Sequence, residues 1–146
     1  MLRGSISARI DDKGRLKVPT AFRTAITAQY GDALYVTSLT GGSVLIYPMP
    51  VWTALEERLR EVPATLPARQ RYIDRVSFYG QEASFDQQGR VSIHGHLREA
   101  AEMVGETRVF GKLDHLEVWN QARFAKKLKQ EPLTDDDLSA LADYGI

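Results

Sequence analysis

No cysteine occurs anywhere in the 146 residues. Disulfides, thiolate metal sites and cysteine nucleophiles are thereby excluded, and a reducing compartment fits the composition. Long hydrophobic runs are missing as well: no apolar stretch approaches the ~18–20 residues of a membrane span. Met1-Leu2-Arg3-Gly4 lacks the apolar segment of a signal peptide, so a cytosolic, bacterial-type protein is the expectation. There is no phosphate-cradling glycine loop, nucleophile elbow or paired-carboxylate site, so the sequence carries no signature of an enzyme. Net charge is absent too, since 19 Lys and Arg balance 19 Asp and Glu. What remains is an ordinary apolar content of 43%, enough for one compact domain or two very small ones sharing a core.

The zero net charge conceals a gradient. Through Tyr30 the chain carries Arg3, Arg9, Lys13, Arg15, Lys17 and Arg23 against only Asp11 and Asp12. From Glu131 onward it carries Glu131, Asp135, Asp136, Asp137 and Asp143 with no basic residue. A basic head and an acidic tail favour one face that attracts a polyanion.

The chain also says nearly the same thing twice. Ser5 to Arg23 and Gln81 to Arg98 align on a shared glycine. Asp11, Gly14, Arg15, Leu16, Val18, Phe22, Arg23 and Ala25 match Asp86, Gly89, Arg90, Val91, Ile93, Leu97, Arg98 and Ala100. The match continues from Ala33–Leu39 to Thr107–Leu113, and from Val44–Tyr47 to Leu116–Trp119, with Gly41-Gly42 in the longer loop of the first copy. Each copy is too short to bury a core alone, so two copies are expected to pack as an internal pseudo-dimer.

One unit reads as strand, tight turn, strand, short helix, strand, turn, strand. Each D-x-x-G-R element is expected to be a β-hairpin. Its glycine takes the left-handed conformation and its Asp accepts amide hydrogens from two residues on. Pro19 opens a helix over about Thr20 to Gln29 that buries Phe22, Ala25 and Ile26 and stops at Gly31. A connector holds two helices, opened by Pro50 (Trp52, Leu55, Leu59) and Pro67 (Tyr72, Ile73, Val76). After the second copy, Ala122 to Lys129 forms a basic helix, and Thr134 with Asp137 forms a capping box for a last one. The divisions are a first repeat at 5–49, a helical connector at 50–78, a second repeat at 79–121 and C-terminal helices at 122–146. The fold class is α+β.

Turn chemistry explains the Asp and Gly of D-x-x-G-R, but not the arginine placed alike in both copies. Nor does it explain Lys13 at the tip. Arginine's planar, permanently charged fork suits phosphate oxygens and guanine edges. An Asp four residues earlier can hold that guanidinium in position; as a plain surface ion pair it is worth only about 0–1 kcal/mol.

Asp11-Asp12-Lys13-Gly14-Arg15-Leu16-Lys17-Val18-Pro19 followed by Phe22-Arg23 resembles the N-terminal signature of the MraZ transcriptional regulators. The second D-x-x-G-R at Asp86 to Arg90, Leu97-Arg98 and the closing Gly111-x-x-Asp114-x-x-Glu117-Val118-Trp119 extend the likeness to about Met1–Phe124. The resemblance implies two SpoVT/AbrB-like, swapped-hairpin repeats forming an intramolecular double-split β-barrel. It further implies a homo-oligomeric ring that binds short repeats in double-stranded promoter DNA. Those repeats lie upstream of its own gene, at the head of the division and cell wall cluster, which the protein represses. The D-x-x-x-R residues of the family map onto Asp11 and Arg15, and onto Asp86 and Arg90.

The expected DNA contacts are Arg15 and Lys13, with Asp11 aiming Arg15, phosphate contacts from Arg3, Lys17 and Arg23, and a further pair in Arg90 and Asp86. Gln88 and His94 replace Lys13 and Pro19 in the second copy, which makes the first copy the expected principal contact. Such a protein is nucleoid-associated and needs no cofactor, metal, membrane or small-molecule substrate. The competing readings are a ring-forming interaction scaffold, an AbrB-type antitoxin, and a hydrolase or metal site built on His94, His96 and His115. Histidines at a helix entry and on the surface are the simpler reading. The Arg69–Arg75 run is expected to be a solvated helix face or an intersubunit surface.

Overall fold

Strand-forming stretches punctuated by Asp-Gly turns and Pro-initiated helices give fourteen elements. In the computed structural model, which describes all residues from Met1 to Ile146, the first copy comprises β1 (Ser5–Arg9), β2 (Arg15–Lys17), α1 (Thr20–Tyr30), β3 (Ala33–Thr37) and β4 (Val44–Pro48). The connector is α2 (Met49–Arg60) and α3 (Pro67–Phe78). The second copy comprises β5 (Gln81–Ser84), β6 (Arg90–Ser92), α4 (Gly95–Ala100), β7 (Glu106–Gly111) and β8 (Leu116–Asn120), followed by α5 (Gln121–Gln130) and α6 (Asp135–Ala142). No helix is long and apolar enough to cross a membrane.

The D-x-x-G segments are turns, but the strands around them are not paired as simple hairpins. Only the Ile10–Leu16 bridge joins the two arms of the first turn. Beyond it β1 pairs with β7, and β2 pairs with β6, each in the other copy. A six-stranded antiparallel sheet results, in the order β1-β7-β8-β4-β3-β5, beside the two-stranded β2–β6 ribbon. Exchanging β1–β4 with β5–β8 turns that order into its own reverse, so the topology has an internal two-fold relation. The local turn chemistry is satisfied either way. Exchange wins because pairing β2 with β6 puts Leu16 and Val91 side by side, both fully buried.

The main core lies under this ribbon. Leu16, Val18, Val91 and Ile93 project from the ribbon and its continuation. Phe22 and Ile26 come from α1 and Leu97 from α4, and they meet Val44, Ile46, Val109, Leu116 and Val118 of the sheet. Phe22 and Ile26 sit one helical turn apart and point inward, whereas Ala25, expected inside, is exposed on the rim. In the second copy α4 has only six residues and starts on Gly95 after His94, a poorer helix start than Pro19-Thr20.

β4 is buried along its whole length, because both sides of the sheet are covered there. Val44 and Ile46 face the main core; Leu45 and Tyr47 face a smaller one completed by Trp52 of α2 and Val76 of α3. Trp52 stacks on Tyr35 with ring centroids 4.5 Å apart. Val76 O accepts hydrogen bonds from Tyr35 Oη at 2.9 Å and Thr37 Oγ1 at 2.8 Å, which pin α3 to the sheet. At the other end, Phe124 of α5 packs on Phe110. α6 begins with a complete Thr134–Asp137 capping box, and every residue from Leu128 to Ile146 is exposed.

Ile46 lies at the centre of the sheet with no solvent exposure. Ile46→Ala is expected to lose about 2–5 kcal/mol, and Leu138→Ala on exposed α6 less than about 0.5 kcal/mol. Urea unfolding of the two variants against the parent measures both.

Candidate nucleic-acid interface

Asp11 builds the first turn with its own side chain. Its Oδ1 accepts the amide hydrogens of Lys13 at 3.0 Å and Arg15 at 2.9 Å. Its Oδ2 accepts from Arg15 Nε at 2.8 Å. The backbone closes the same loop, Asp11 N–H donating to Arg15 O at 2.9 Å and Gly14 N–H to Asp11 O at 3.0 Å. Gly14 has φ of +79°, in the left-handed region that glycine enters freely.

The second turn repeats this construction. Asp86 Oδ1 accepts the Gln88 and Arg90 amide hydrogens at 2.8 Å each, and Oδ2 accepts from Arg90 Nε at 2.8 Å. Gly89 has φ of +76°. Replacing Lys13 by Gln88 leaves this geometry unchanged, because the residue contributes only its amide.

Each arginine therefore spends its Nε on the aspartate and keeps both Nη nitrogens free of protein partners. The side chains of Arg15 and Arg90 are 32% and 25% exposed, so neither fork is sealed inside the protein. As a stabilising contact such a half-exposed pair is worth about 0–1 kcal/mol. Its larger effect is directional, since it fixes where the guanidinium points before any ligand arrives.

Both aspartates are held ionised. The Asp86 carboxyl lies at about 2, below the ordinary 3.8. The Arg90 amide hydrogen bond is the largest cause; the Arg90 guanidinium and the Gln88 amide add to it, against the opposing effect of desolvation. Asp11 is lowered for the same reasons, the Arg15 amide first.

The β2–β6 register sets Arg15 opposite Ser92, Leu16 opposite Val91 and Lys17 opposite Arg90. Leu16 and Val91 face the core, so Arg15, Lys17, Arg90 and Ser92 share the outward face. Asp11, Lys13 and Asp86 frame it from the turns. Lys17 is directed across the ribbon, where its ammonium hydrogen-bonds Gln88 O.

Two expected contacts are placed differently from the rest. Arg23 leaves its own turn and reaches the second one, its Nη2 donating to Asp86 O at 3.3 Å. Arg3 stands at the opposite end of β1, where Leu2 bridges Leu113 and Gly4 O accepts from Gly111; it does not join the ribbon face. Sequence reasoning missed Arg98, whose Nη1 donates to Lys13 O at 3.3 Å in the first turn. The repeat alignment, which matches Arg98 to Arg23, held the signal.

The histidines occupy two separate places. His94 and His96 stack with ring centroids 4.0 Å apart. Their Nε2 atoms hydrogen-bond the carbonyls of Tyr79 at 2.7 Å and Phe78 at 2.8 Å, tying the end of α3 to the start of α4. His115 stacks on Tyr47 at 4.5 Å and pairs with Asp114 at 2.8 Å.

Because folding lowers the Asp86 pKa, the stability it contributes is complete above about pH 4 and is lost as pH falls through about 2. Asp86→Asn is expected to unfold more easily than the parent at neutral pH, and the gap should close between about pH 4 and pH 2. Denaturant titrations across that window measure it; a constant gap would show that the carboxylate charge is not its source.

The family model described as "MraZ protein, putative antitoxin-like" matches residues 1–75 and 80–143. A protein of Acidobacterium capsulatum named "Transcriptional regulator MraZ" is 40% identical over 146 residues, covering all of both chains. One of the same name from Koribacter versatilis is 42% identical over 147 residues, again with full coverage of both. Another from Syntrophobacter fumaroxidans is 34% identical over 127 residues, 87% of this chain and 84% of its own. With a family match along nearly its whole length and relatives this similar from end to end, the chain belongs to the MraZ family.

Proposed function

We propose that this protein is a sequence-specific, DNA-binding transcriptional regulator, and that the β2–β6 ribbon with its two D-x-x-G-R turns is the surface that meets DNA. The observation that carries this reading is the pair of Asp-buttressed arginines on one exposed face, each with both Nη nitrogens unused. A two-stranded antiparallel ribbon is of a size that the major groove admits, and a guanidinium fork matches the O6 and N7 edge of guanine. Lys13 and Lys17 add charge toward phosphates, which supply affinity without sequence information. The name "Transcriptional regulator" carried by the full-length relatives supports the same class.

Within this proposal the exchanged strands form a SpoVT/AbrB-like split barrel, and both turns contact DNA, since their geometry is alike. One protomer offers few contacts, so its own affinity is weak and salt-sensitive. Several protomers in a ring, each on one short promoter repeat, gain avidity of about 10²–10⁴ without new contacts when the spacing fits. This is how a chain with no net charge grips a polyanion selectively. The regulated DNA is the region upstream of its own gene, at the head of the division and cell wall cluster, and the outcome is repression.

Arg15→Ala and Arg90→Ala are each expected to weaken binding to that upstream DNA by about tenfold or more, a bidentate base contact being worth about 1–3 kcal/mol. Circular dichroism and light scattering should stay as in the parent. Anisotropy titrations of labelled promoter DNA at two salt concentrations provide the measurement. Unchanged affinity in both variants would overturn the assignment, and loss of assembly in place of DNA binding would favour a scaffold.

A further inference from the structure

The two turns do not stand independently. Ile93 N–H donates to Gly14 O at 2.9 Å, and Val18 N–H donates to Gly89 O at 3.1 Å. Each glycine carbonyl of one copy is thus anchored by the strand end of the other. Over these backbone bonds lies a crossed pair of side chains. Arg98, on the second copy's helix, donates from Nη1 to Lys13 O at 3.3 Å and to Ile93 O at 3.0 Å. Arg23, on the first copy's helix, donates from Nη2 to Asp86 O at 3.3 Å and lies 6.0 Å from the Phe85 ring centre.

Packing is as close as the hydrogen bonding. A Cβ on Gly14 would overlap the Arg98 guanidinium. A Cβ on Gly89 would come within 2.8 Å of Arg23 Cδ. The glycines therefore meet two demands at once: a left-handed backbone, and a flat surface on which the other copy's arginine rests.

We infer that Arg23 and Arg98 are crossed positioning residues, each fixing the turn of the copy to which it does not belong. Arg98 holds the loop that presents Arg15, and Arg23 holds the loop that presents Arg90. Both are half-buried; Arg98 is bonded to two main-chain carbonyls and Arg23 to one. A guanidinium aims its donor from a rigid plane that can lie flat on the glycine, whereas a lysine offers a freely rotating point charge. The consequence for ligand binding rests on the function proposed above; the brace itself does not.

The experiment has two readouts on the full-length protein. In the absence of DNA, amide hydrogen exchange by NMR should show faster exchange at Lys13 and Arg15 in Arg98→Ala, and at Gln88 and Arg90 in Arg23→Ala. Each variant should leave its own copy's turn as in the parent. Gly14→Asn, whose side chain tolerates a positive φ, should reproduce the Arg98→Ala pattern by displacing that arginine. Arg98→Lys, which keeps the charge but not the fork, should also reproduce it and gives a variant with little risk to folding.

With promoter DNA, double-mutant cycles should be crossed in the same sense. Arg98→Ala is expected to weaken binding about tenfold alone and by less than about twofold in an Arg15→Ala background, while its effect persists in an Arg90→Ala background. Arg23→Ala should couple to Arg90 and not to Arg15. Exchange that rises in the variant's own turn, or in neither turn, overturns the inference. Full DNA affinity in Arg15→Ala and Arg90→Ala with a crossed exchange pattern defeats the proposed function and leaves the brace standing. A crossed exchange pattern with additive DNA effects limits Arg23 and Arg98 to the fold, and overturns their role in presenting the reading arginines.

Discussion

Three residues of β2 set against three of β6 carry the contact on which the remaining architecture depends. Leu16 and Val91 meet on its inner side and are completely buried, and Val18 and Ile93 extend the same apolar underside. Fully burying side chains of this kind contributes about 1.5–3 kcal/mol each. No single copy could provide it, because each copy supplies only one edge of the ribbon. Once the ribbon is formed, β1 must continue toward β7 and β5 toward β3, and the six-stranded order follows.

The outer side of the same ribbon explains how a chain without net charge acquires a cationic surface. Arg15, Lys17 and Arg90 face outward because their neighbours Leu16 and Val91 face inward. Two groups stand out among the 19 acids that balance this charge. Asp11 and Asp86 sit under the arginines and act as supports, their protons held off by amide and guanidinium hydrogen bonds. The remaining acids of the C-terminus are carried away on the exposed residues of α6 and beyond. Charge balance for the whole molecule thus coexists with local excess where two strands pair, and fields at a surface follow the local arrangement.

Legibility in the sequence follows range. The turns were readable because Asp at the first position and Gly at the fourth act within five residues. The starts of α1, α2 and α3 were readable from Pro19, Pro50 and Pro67, and the capping box of α6 from Thr134 and Asp137. The repeat itself was visible as an offset that stays at 75 residues from Asp11 and Asp86 through Ala25 and Ala100. Strand partnership was not legible: β1 and β2 have the same local pattern whether they close a hairpin on themselves or exchange with another copy. The target of Arg23 was hidden for the same reason. In sequence it follows the first turn closely, while in space the exchange brings it to the second. Ala25, expected inside with Phe22 and Ile26 on the same helix, is turned outward by the phase those two buried residues set.

Two covalently joined halves are free of a restriction that binds a symmetric pair of identical chains. In a homodimer every change made on one side of the axis appears on the other. Here Lys13 has Gln88 as its counterpart in the other half, Lys17 has Ser92, and Pro19 has His94. The two ends of the ribbon are therefore chemically distinct, Arg15 lying beside Ser92 with Lys13 in the adjoining turn at one, and Lys17 beside Arg90 with Gln88 in the adjoining turn at the other.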